Sequence, residues 1–96
     1  MYLLPKRNIL YFQSDLRYVD ICLLQGDNPR ILAKLSDVEL LAGEMFVRIH
    51  KSYLVNTGYV LWMDKKNHMV QLINGEQLPV SDGQYDKVCE KFSNAK

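Results

Sequence analysis

The chain has 96 residues, a hydrophobic fraction of 48% and a formal net charge of +1, which fits one globular domain and argues against disorder. No apolar run approaches the roughly 20 residues that span a bilayer, and the N-terminus lacks the apolar segment of a signal peptide. We therefore expect a single domain over residues 1–96 with no membrane association, in which residues 1–7 suit the end of a linker.

The charge is unevenly distributed along the chain. Residues 45–75 contain one acid and four basic side chains, namely Arg48, Lys51, Lys65 and Lys66. The local balance is +3, whereas the remaining eight basic and ten acidic residues sum to −2. Any anion-binding face should therefore be built from this middle segment.

Three strands are predicted in the first third of the chain. The apolar and aromatic run Asn8–Gln13 predicts the first strand, and the alternation over Tyr18–Leu24 predicts the second. A Gly- and Pro-containing turn at 26–29 then leads into Arg30–Leu35, the returning strand of a hairpin.

A short helix is predicted after these strands. Ser36 to Glu39 has the form of a capping box, in which Ser36 is the N-cap and Glu39 reaches back to its amide. Gly43 is a natural stop for this helix. We expect its apolar side chains to pack in the core: Val38, Leu40 and Leu41.

The stretch Phe46–Asn56 begins as a strand and then turns. One face of the strand is apolar and core-bound: Met45, Val47 and Ile49. The other face is aromatic and basic: Phe46, Arg48 and His50. The apolar run Tyr53 to Val55 re-enters the core, so residues 50–52 lie at a corner between two buried anchors.

The last part of the chain predicts two hairpins and a helix. Strands are expected at 59–63, 68–73 and 76–80, and Asn74-Gly75 suits a type I′ turn. Pro79 marks an edge strand because it cannot donate to a ladder. Ser81 to Gln84 is a second capping box, and helical spacing follows in four residues: Tyr85, Val88, Cys89 and Phe92. The whole pattern, with six or seven short strands and two helices, predicts a mainly antiparallel β domain.

Enzyme and cofactor signatures are weak. The glycines stand singly, so no phosphate-cradling loop is indicated. His50 and Ser52 could face one side of a strand, but no nucleophile elbow or orienting acid accompanies them. Cys22 and Cys89 lack partners at metal-ligand spacing and are interpreted as reduced, buried thiols of a cytoplasmic protein. We therefore expect neither catalysis, nor a metal, nor a cofactor.

Two interpretations of the corner remain open on composition. His50 supplies an imidazole, Lys51 a fixed cation and Ser52 a hydroxyl. This mixture suits phosphate oxygens and base edges. Alternatively, Arg48 and His50 lie along a solvated strand face and Lys51 keeps the turn soluble.

The residues of this stretch resemble a known signature. Phe-Val-Arg-Ile-His-Lys-Ser-Tyr-Leu-Val-Asn, residues 46–56, is similar to the Phe-x-Arg-x-His-Arg/Lys-Ser-x-Leu/Ile-Val-Asn stretch of the LytTR-type DNA-binding domain. The flanks agree, since Ile9 to Gln13 resembles the first strand of that family, Leu35 to Leu41 its short helix and Leu72 to Ser81 its last hairpin. The resemblance implies an elongated fold of antiparallel β-sheets whose loops enter successive major grooves of DNA.

The resemblance also implies DNA contacts. The residue after the motif histidine, Lys51, would donate to guanine, with His50 and Ser52 beside it. The loop between the first two strands would supply Arg17, whereas Tyr18 is either a contact or a core residue. A third contact usually follows Pro-Val-Ser, where this chain has Asp82, a residue that also suits the start of a helix.

Other candidate contacts follow from these positions. Gln84 or Lys87 could replace the contact missing at Asp82, and Lys66 would extend a positive edge with Arg17 and Lys51. Arg48 either contacts phosphate or pairs with an acid on a neighbouring strand. Ser52 and Asn56 are as well suited to hold the local backbone as to touch DNA.

The resemblance implies partners as well. The expected partner is double-stranded DNA with direct-repeat sites, bound by two domains and bent, and a receiver domain if the chain is the output domain of a bacterial two-component response regulator. An alternative is a β-rich protein-interaction module that has lost contact with DNA and docks through its Pro79 edge strand or its C-terminal helix.

Overall fold

The computed structural model describes residues 5–92, and residues 1–4 and 93–96 lie outside the described part. The domain is elongated, with principal extents of 38 × 25 × 21 Å. Its elements, in chain order, are β1 (Ile9–Asp15), β2 (Tyr18–Leu23), β3 (Arg30–Leu32), α1 (Leu35–Ala42), β4 (Phe46–His50), β5 (Tyr53–Asn56), β6 (Val60–Asp64), β7 (Met69–Leu72), β8 (Gln77–Pro79) and α2 (Asp82–Phe92). Neither of these two helices is long and apolar enough to cross a bilayer.

The larger sheet is antiparallel and has β1 at its centre. Its strand order is β3-β2-β1-β5-β4. The β1–β2 ladder shifts register between Ile9 and Tyr11, so the alternation of side chains is interrupted there. As a result Ile9 and Phe12 lie in one core, and Leu10 and Tyr11 in the other. The central strand is therefore buried on both of its faces.

The smaller sheet has the order β6-β7-β8 and lies against the larger one. The Tyr11 hydroxyl donates to Glu76 Oε2 over 3.0 Å, which ties β1 to the β7–β8 hairpin. The Tyr11 phenol, like an ordinary one, is protonated at neutral pH, and burial raises its pKa further. Pro79 lies in β8, the edge strand, as predicted.

Two cores flank the larger sheet. One lies beneath α1 and contains Phe46 and Leu54, and the other lies between the two sheets and α2 and contains Ile49 and Val55. The face of β4 that was predicted to be aromatic and basic is therefore not solvated along its whole length, because Phe46 on this face is only 5% exposed. Both cysteines are free, with Cys22 buried and Cys89 half-buried. Burial raises the pKa of the Cys22 thiol.

Helix α1 differs from the prediction in its start and its buried face. It begins at Leu35 with Lys34 as N-cap, and no side chain caps it, so the predicted capping box of Ser36 and Glu39 does not form. Leu40 and Leu41, predicted in the core, are each 83% exposed. The reason is helical geometry, because the buried stripe formed by Leu35, Val38 and Ala42 turns these two leucines away.

Two further predictions are corrected by the backbone. The Asn74-Gly75 turn is not type I′, since only Gly75 has a positive φ, of 93°. Its amide donates to the Leu72 carbonyl at 3.0 Å and the Leu72 amide to the Glu76 carbonyl at 2.9 Å, which is the pattern of a turn followed by a glycine bulge. The strand predicted over residues 30–35 ends at Leu32, because helix α1 begins three residues later.

The N-terminal segment is attached to the domain from its first described residues. Residues 6–8 form a short 3₁₀ turn. The Lys6 carbonyl accepts from the Asn56 side chain at 3.4 Å, and the Arg7 carbonyl accepts from the Tyr59 hydroxyl. The end of a linker was predicted over residues 1–7, and residues 1–4 of that range lie outside the described part of the chain.

Two leucines with opposite burial test this packing. Leu54 is fully buried and Leu40 is exposed, so Leu54→Ala should lower the free energy of unfolding by about 2–5 kcal/mol through lost burial and a cavity. Leu40→Ala, the same substitution at a solvent-facing site, should change it by no more than about 0.5 kcal/mol. Urea denaturation of both variants measures the difference, and equal losses would contradict the orientation of α1.

Candidate nucleic-acid interface

Four chain segments meet at one end of the molecule, which we name the turn end. It comprises the β1–β2 turn, the β4–β5 turn, the β6–β7 turn and the segment that leads into α2. The Ser14 amide donates to the Ser52 carbonyl at 2.9 Å, which joins the first two turns. The Ser81 amide donates to the Ile49 carbonyl at 2.9 Å, which joins the start of α2 to the β4–β5 turn. These bonds belong to backbone atoms and fix the segments relative to one another.

The turn end carries exposed cations. Its turns carry four basic side chains, Arg17, Lys51, Lys65 and Lys66, and a fifth, Lys34, lies beside the β1–β2 turn. All five are exposed, and none of them makes an ion pair with another of residues 5–92. The carboxylates of Asp37, Asp64 and Asp82 lie at the same end, and Asp15, which borders the β1–β2 turn, is paired with Arg30. The five cations without an ion pair among residues 5–92 therefore face three carboxylates that no Arg or Lys of that range pairs with. The excess is modest but local.

Lys51 projects from a corner that is held from beneath by Arg48. The Arg48 side chain is half-buried and donates to the carbonyls of His50 and Lys51, both at 2.8 Å. Its remaining nitrogen forms an ion pair with Glu39 at 2.9 Å. The pairing acid is on α1 and not on a neighbouring strand, which sequence alone did not indicate.

The other two residues of the corner have local roles. His50 Nδ1 accepts a hydrogen bond from the Ser52 amide at 3.1 Å, and the imidazole packs edge-on against Tyr53 with ring centroids 5.5 Å apart. Because Nδ1 is an acceptor, the ring nitrogen that can face a ligand is Nε2.

Asn56 lies at the opposite end of β5, where its side chain donates to the Ile9 carbonyl and accepts from the Gly58 amide, both at 2.9 Å.

The β1–β2 turn presents Arg17 near Arg30, which forms ion pairs with two aspartates. Leu16 has a φ of 57° and is 97% exposed, and Arg17 follows it. The Arg17 carbonyl accepts from the Ala33 amide at 3.1 Å, so Lys34 lies next to this turn. Tyr18 is 41% exposed and therefore is not a core residue; its ring stacks beneath the guanidinium of Arg30.

The β6–β7 turn and the start of α2 complete the turn end. Asp64 accepts from the amides of Lys66 and Asn67, which shapes the turn that carries Lys66 and lowers the pKa of Asp64 through its bond with the Asn67 side chain. His68 stacks on Tyr85 with ring centroids 4.1 Å apart. Its Nδ1 lies 3.6 Å from Asp82, whose side chain is 99% exposed at the first position of α2.

Gln84 and Lys87, the proposed substitutes for Asp82, occupy different parts of α2. Gln84 is half-buried in the first turn of the helix, and its amide donates to the Ser81 carbonyl at 3.0 Å. Lys87 lies on the second turn, beside Val47 of β4. The start of α2 therefore places Gln84, and not Lys87, at the turn end.

Lys34, Lys65 and His68 were not predicted individually as members of the site, and Glu39 was not predicted as the partner of Arg48. The hairpin pattern could have indicated Lys34, because the returning strand of a hairpin must end beside the turn where its partner began. Lys65 adjoins the predicted Lys66 in a polar turn. Glu39 was assigned to a capping box, and only the packing of α1 on β4 reveals its ion pair with Arg48.

The structure adds no evidence for metal or catalytic chemistry at these residues. Within residues 5–92, no group of three or more His, Cys, Asp and Glu side chains is arranged to hold a metal ion. The two histidines lie on separate turns, and each is engaged by an aromatic neighbour.

The ion pair between Asp20 and Arg30 predicts an acid dependence of stability. Arg30 hydrogen bonds hold the pKa of Asp20 below its usual 3.8. The pair therefore stabilises the fold fully above pH 3.8, and this contribution disappears as the pH falls through the lowered pKa of the folded state. The difference in unfolding free energy between wild type and Arg30→Gln should shrink over that range in urea titrations. Lys34→Gln, which removes an exposed cation without an ion pair among residues 5–92, should show no such change.

The sequence profile of the LytTR family, the LytTr DNA-binding domain, matches residues 1–93. No curated protein matches the chain. Among solved structures, the fold is similar to the LytTr DNA-binding domain of a Bacillus cereus protein described as a methyl-accepting/DNA response regulator, with a TM-score of 0.81 and 21% identity over 95% of this chain and 85% of that one.

The match to the family profile covers nearly the whole chain. It agrees with the signature in residues 46–56 and with the elongated arrangement of two antiparallel sheets and two helices. The chain belongs to the LytTr DNA-binding domain family.

Proposed function

We propose that this domain binds double-stranded DNA in a sequence-specific manner through the turn end, as part of a bacterial transcription regulator in the cytoplasm. The observation that carries the proposal is the meeting of three turns and the segment that leads into α2, held by backbone hydrogen bonds, with five exposed cations on or beside them that make no ion pair within residues 5–92. Cations on protruding turns can reach phosphates and the edges of bases in a major groove.

Lys51 and Arg17 are the proposed base contacts. Their turns are neighbours in the sheet, because β1 pairs with β5 and the Ser14 amide continues that ladder to the Ser52 carbonyl. An ammonium and a guanidinium can each donate to guanine O6 or N7, and the planar guanidinium does so with the greater geometric selectivity. His50, Ser52 and Tyr18 lie beside them and would contact the backbone or neighbouring bases.

The cations on the flanks are proposed phosphate contacts. Lys34 lies beside the Arg17 turn, and Lys65 and Lys66 lie on the β6–β7 turn. Such contacts orient a protein on the duplex without reading its sequence. Gln84, in the first turn of α2, is the proposed polar contact in the region where Asp82 replaces a basic residue.

Asp82 is proposed to act mainly within the protein. Its carboxylate lies at the first position of α2, where negative charge is favoured by the helix dipole, and 3.6 Å from His68 Nδ1. An exposed carboxylate beside phosphates is repelled, so the third part of the binding site should contribute less affinity than the two turns at Lys51 and Arg17.

Membership of the family supports a wider proposal. We propose that the domain is the output domain of a two-component response regulator, that a receiver domain belongs to the same protein, and that two copies occupy direct-repeat sites on DNA. The longest extent of one domain is 38 Å, which limits the length of duplex that it can contact. A second copy would double the number of base pairs that are read.

The substitution Lys51→Ala tests the proposed base contact. A duplex should first be selected from a random library with the wild-type protein, and binding then measured by fluorescence anisotropy. Loss of one base contact should weaken binding to the selected duplex by about 1–3 kcal/mol while leaving binding to a scrambled duplex nearly unchanged. Arg17→Ala should act in the same direction.

Lys6→Ala is the matched control for this test. Lys6 is equally an exposed lysine, but it precedes β1 and therefore lies at the other end of the sheet. It should leave the preference for the selected duplex intact. Equal effects of Lys6→Ala and Lys51→Ala would contradict the assignment of the turn end, and absence of DNA binding at low salt would favour a protein-interaction module.

The salt dependence of binding gives an independent test. Each neutralised phosphate contributes about −0.9 to the slope of log K against log salt concentration. With five exposed cations at the turn end and some of them directed to bases, one domain should give a slope between about −2 and −4.5. The substitution Lys66→Ala should reduce the slope by about one contact and weaken binding to all duplexes alike.

A further inference from the structure

We propose that Arg48, held in place by Glu39, is a positioning residue that orients Lys51 before DNA binds. This inference rests on the proposed function of the turn end, and it assigns Arg48 a role within the protein instead of a contact with phosphate. It rests on three hydrogen bonds from the Arg48 guanidinium, two to carbonyls of the corner and one to Glu39 on α1, and on one from the Ser52 amide to His50.

The bonds of Arg48 fix the two peptide groups on either side of the Lys51 Cα atom. The carbonyl of His50 belongs to the peptide group before Lys51, and the carbonyl of Lys51 belongs to the one after it. Arg48 Nε donates to the first and an Nη atom to the second, each at 2.8 Å. A guanidinium is planar and rigid, so it can hold both carbonyls in one arrangement.

The second of these peptide groups is held at both of its ends. Its carbonyl accepts from Arg48, and its amide, which belongs to Ser52, donates to His50 Nδ1 at 3.1 Å. Rotation of this peptide group would break both bonds at once. The direction in which the Lys51 side chain leaves the corner is therefore set by the protein.

Glu39 sets the position of Arg48 itself. Glu39 Oε1 lies 2.9 Å from the third guanidinium nitrogen, and the Arg48 side chain is only 20% exposed. All three nitrogen atoms of Arg48 are thus engaged within the domain. The ion pair connects α1 to the corner, because Glu39 is on the helix and Arg48 on β4.

Positioning of this kind improves binding without adding a contact. A flexible turn has to be ordered when it binds, and the associated loss of conformational entropy weakens the complex. A side chain held in its binding orientation avoids this loss and reads one base more selectively. Arg48 and Glu39 should therefore influence DNA only through Lys51 and its neighbours in the corner.

A double-mutant cycle of Arg48→Lys and Lys51→Ala distinguishes positioning from contact. Lysine keeps the positive charge, but its three N–H donors are on one nitrogen atom and cannot reproduce the bonds that three separate nitrogens of Arg48 make to three acceptors. Arg48→Lys should weaken binding to the selected duplex about 3- to 10-fold in the wild-type background and less than about 2-fold in the Lys51→Ala background. Equal losses in the two backgrounds would overturn the proposal, since both an independent phosphate contact and a general loss of stability predict them.

For the substitution Glu39→Ala, a positioning role and a phosphate contact of Arg48 predict opposite changes in DNA affinity. Positioning predicts weaker DNA binding than that of Glu44→Ala, a control that removes an exposed acid from the loop after the same helix and thereby matches the change in charge. If Arg48 instead contacted phosphate, loss of Glu39 would free it and tighten binding relative to the control. Tighter binding would therefore overturn the proposal.

Backbone order parameters of the free protein separate this proposal from the proposed function. Arg48→Lys and Glu39→Ala should lower the NMR order parameters of Lys51 and Ser52 from the range of rigid backbone, about 0.85, toward about 0.6, with the order parameters of β1 unchanged. Unchanged values in the corner would overturn the positioning role even if the domain binds DNA. If the domain binds no duplex, the proposed function fails while the relaxation data still decide the role of Arg48.

Discussion

The antiparallel pairing of β1 with its two neighbours determines where the two proposed base contacts, Arg17 and Lys51, lie. β1 is the middle strand of the larger sheet and is buried on both faces. A slip of its register would expose apolar side chains on each face, so the register is strongly specified. The ladder with β5 extends through the bond from Ser14 to the Ser52 carbonyl, and this is why Arg17 and Lys51, 34 positions apart, lie on adjacent turns.

The same pairing separates the parts of the domain that pack from the turn end, the proposed binding surface. α1 covers one face of the larger sheet, and the smaller sheet with α2 covers the other. The strand faces are thereby occupied, and the turns at the end remain exposed. Contacts made from turns on a rigid sheet can be both protruding and well ordered, a combination that a single long loop would not provide.

The sequence predicted the strands, the terminal helix and the turns because these depend on local patterns of apolar, Gly and Pro residues. Leu40 and Leu41 were predicted in the core and are exposed, since the rotation of a two-turn helix depends on which stripe packs and not on how many leucines it contains. Likewise, Ser36 and Glu39 have the spacing of a capping box, but an ion pair with Arg48 engages Glu39 instead. Tertiary contacts decided both cases, and a local pattern contains no information about them.

Two arginines of this nearly neutral domain are paired within the protein, and this limits the cations that remain for a polyanion. Arg30 is paired with Asp15 and Asp20, and Arg48 is engaged by Glu39 and two carbonyls. Arg17 and the lysines of the turn end remain exposed. With so few free cations, non-specific attraction to phosphate should be weak, and affinity must come from a small number of well-oriented contacts. An internal arginine that orients one lysine then contributes more to recognition than an additional cation on the surface would, because orientation discriminates between bases and charge alone does not.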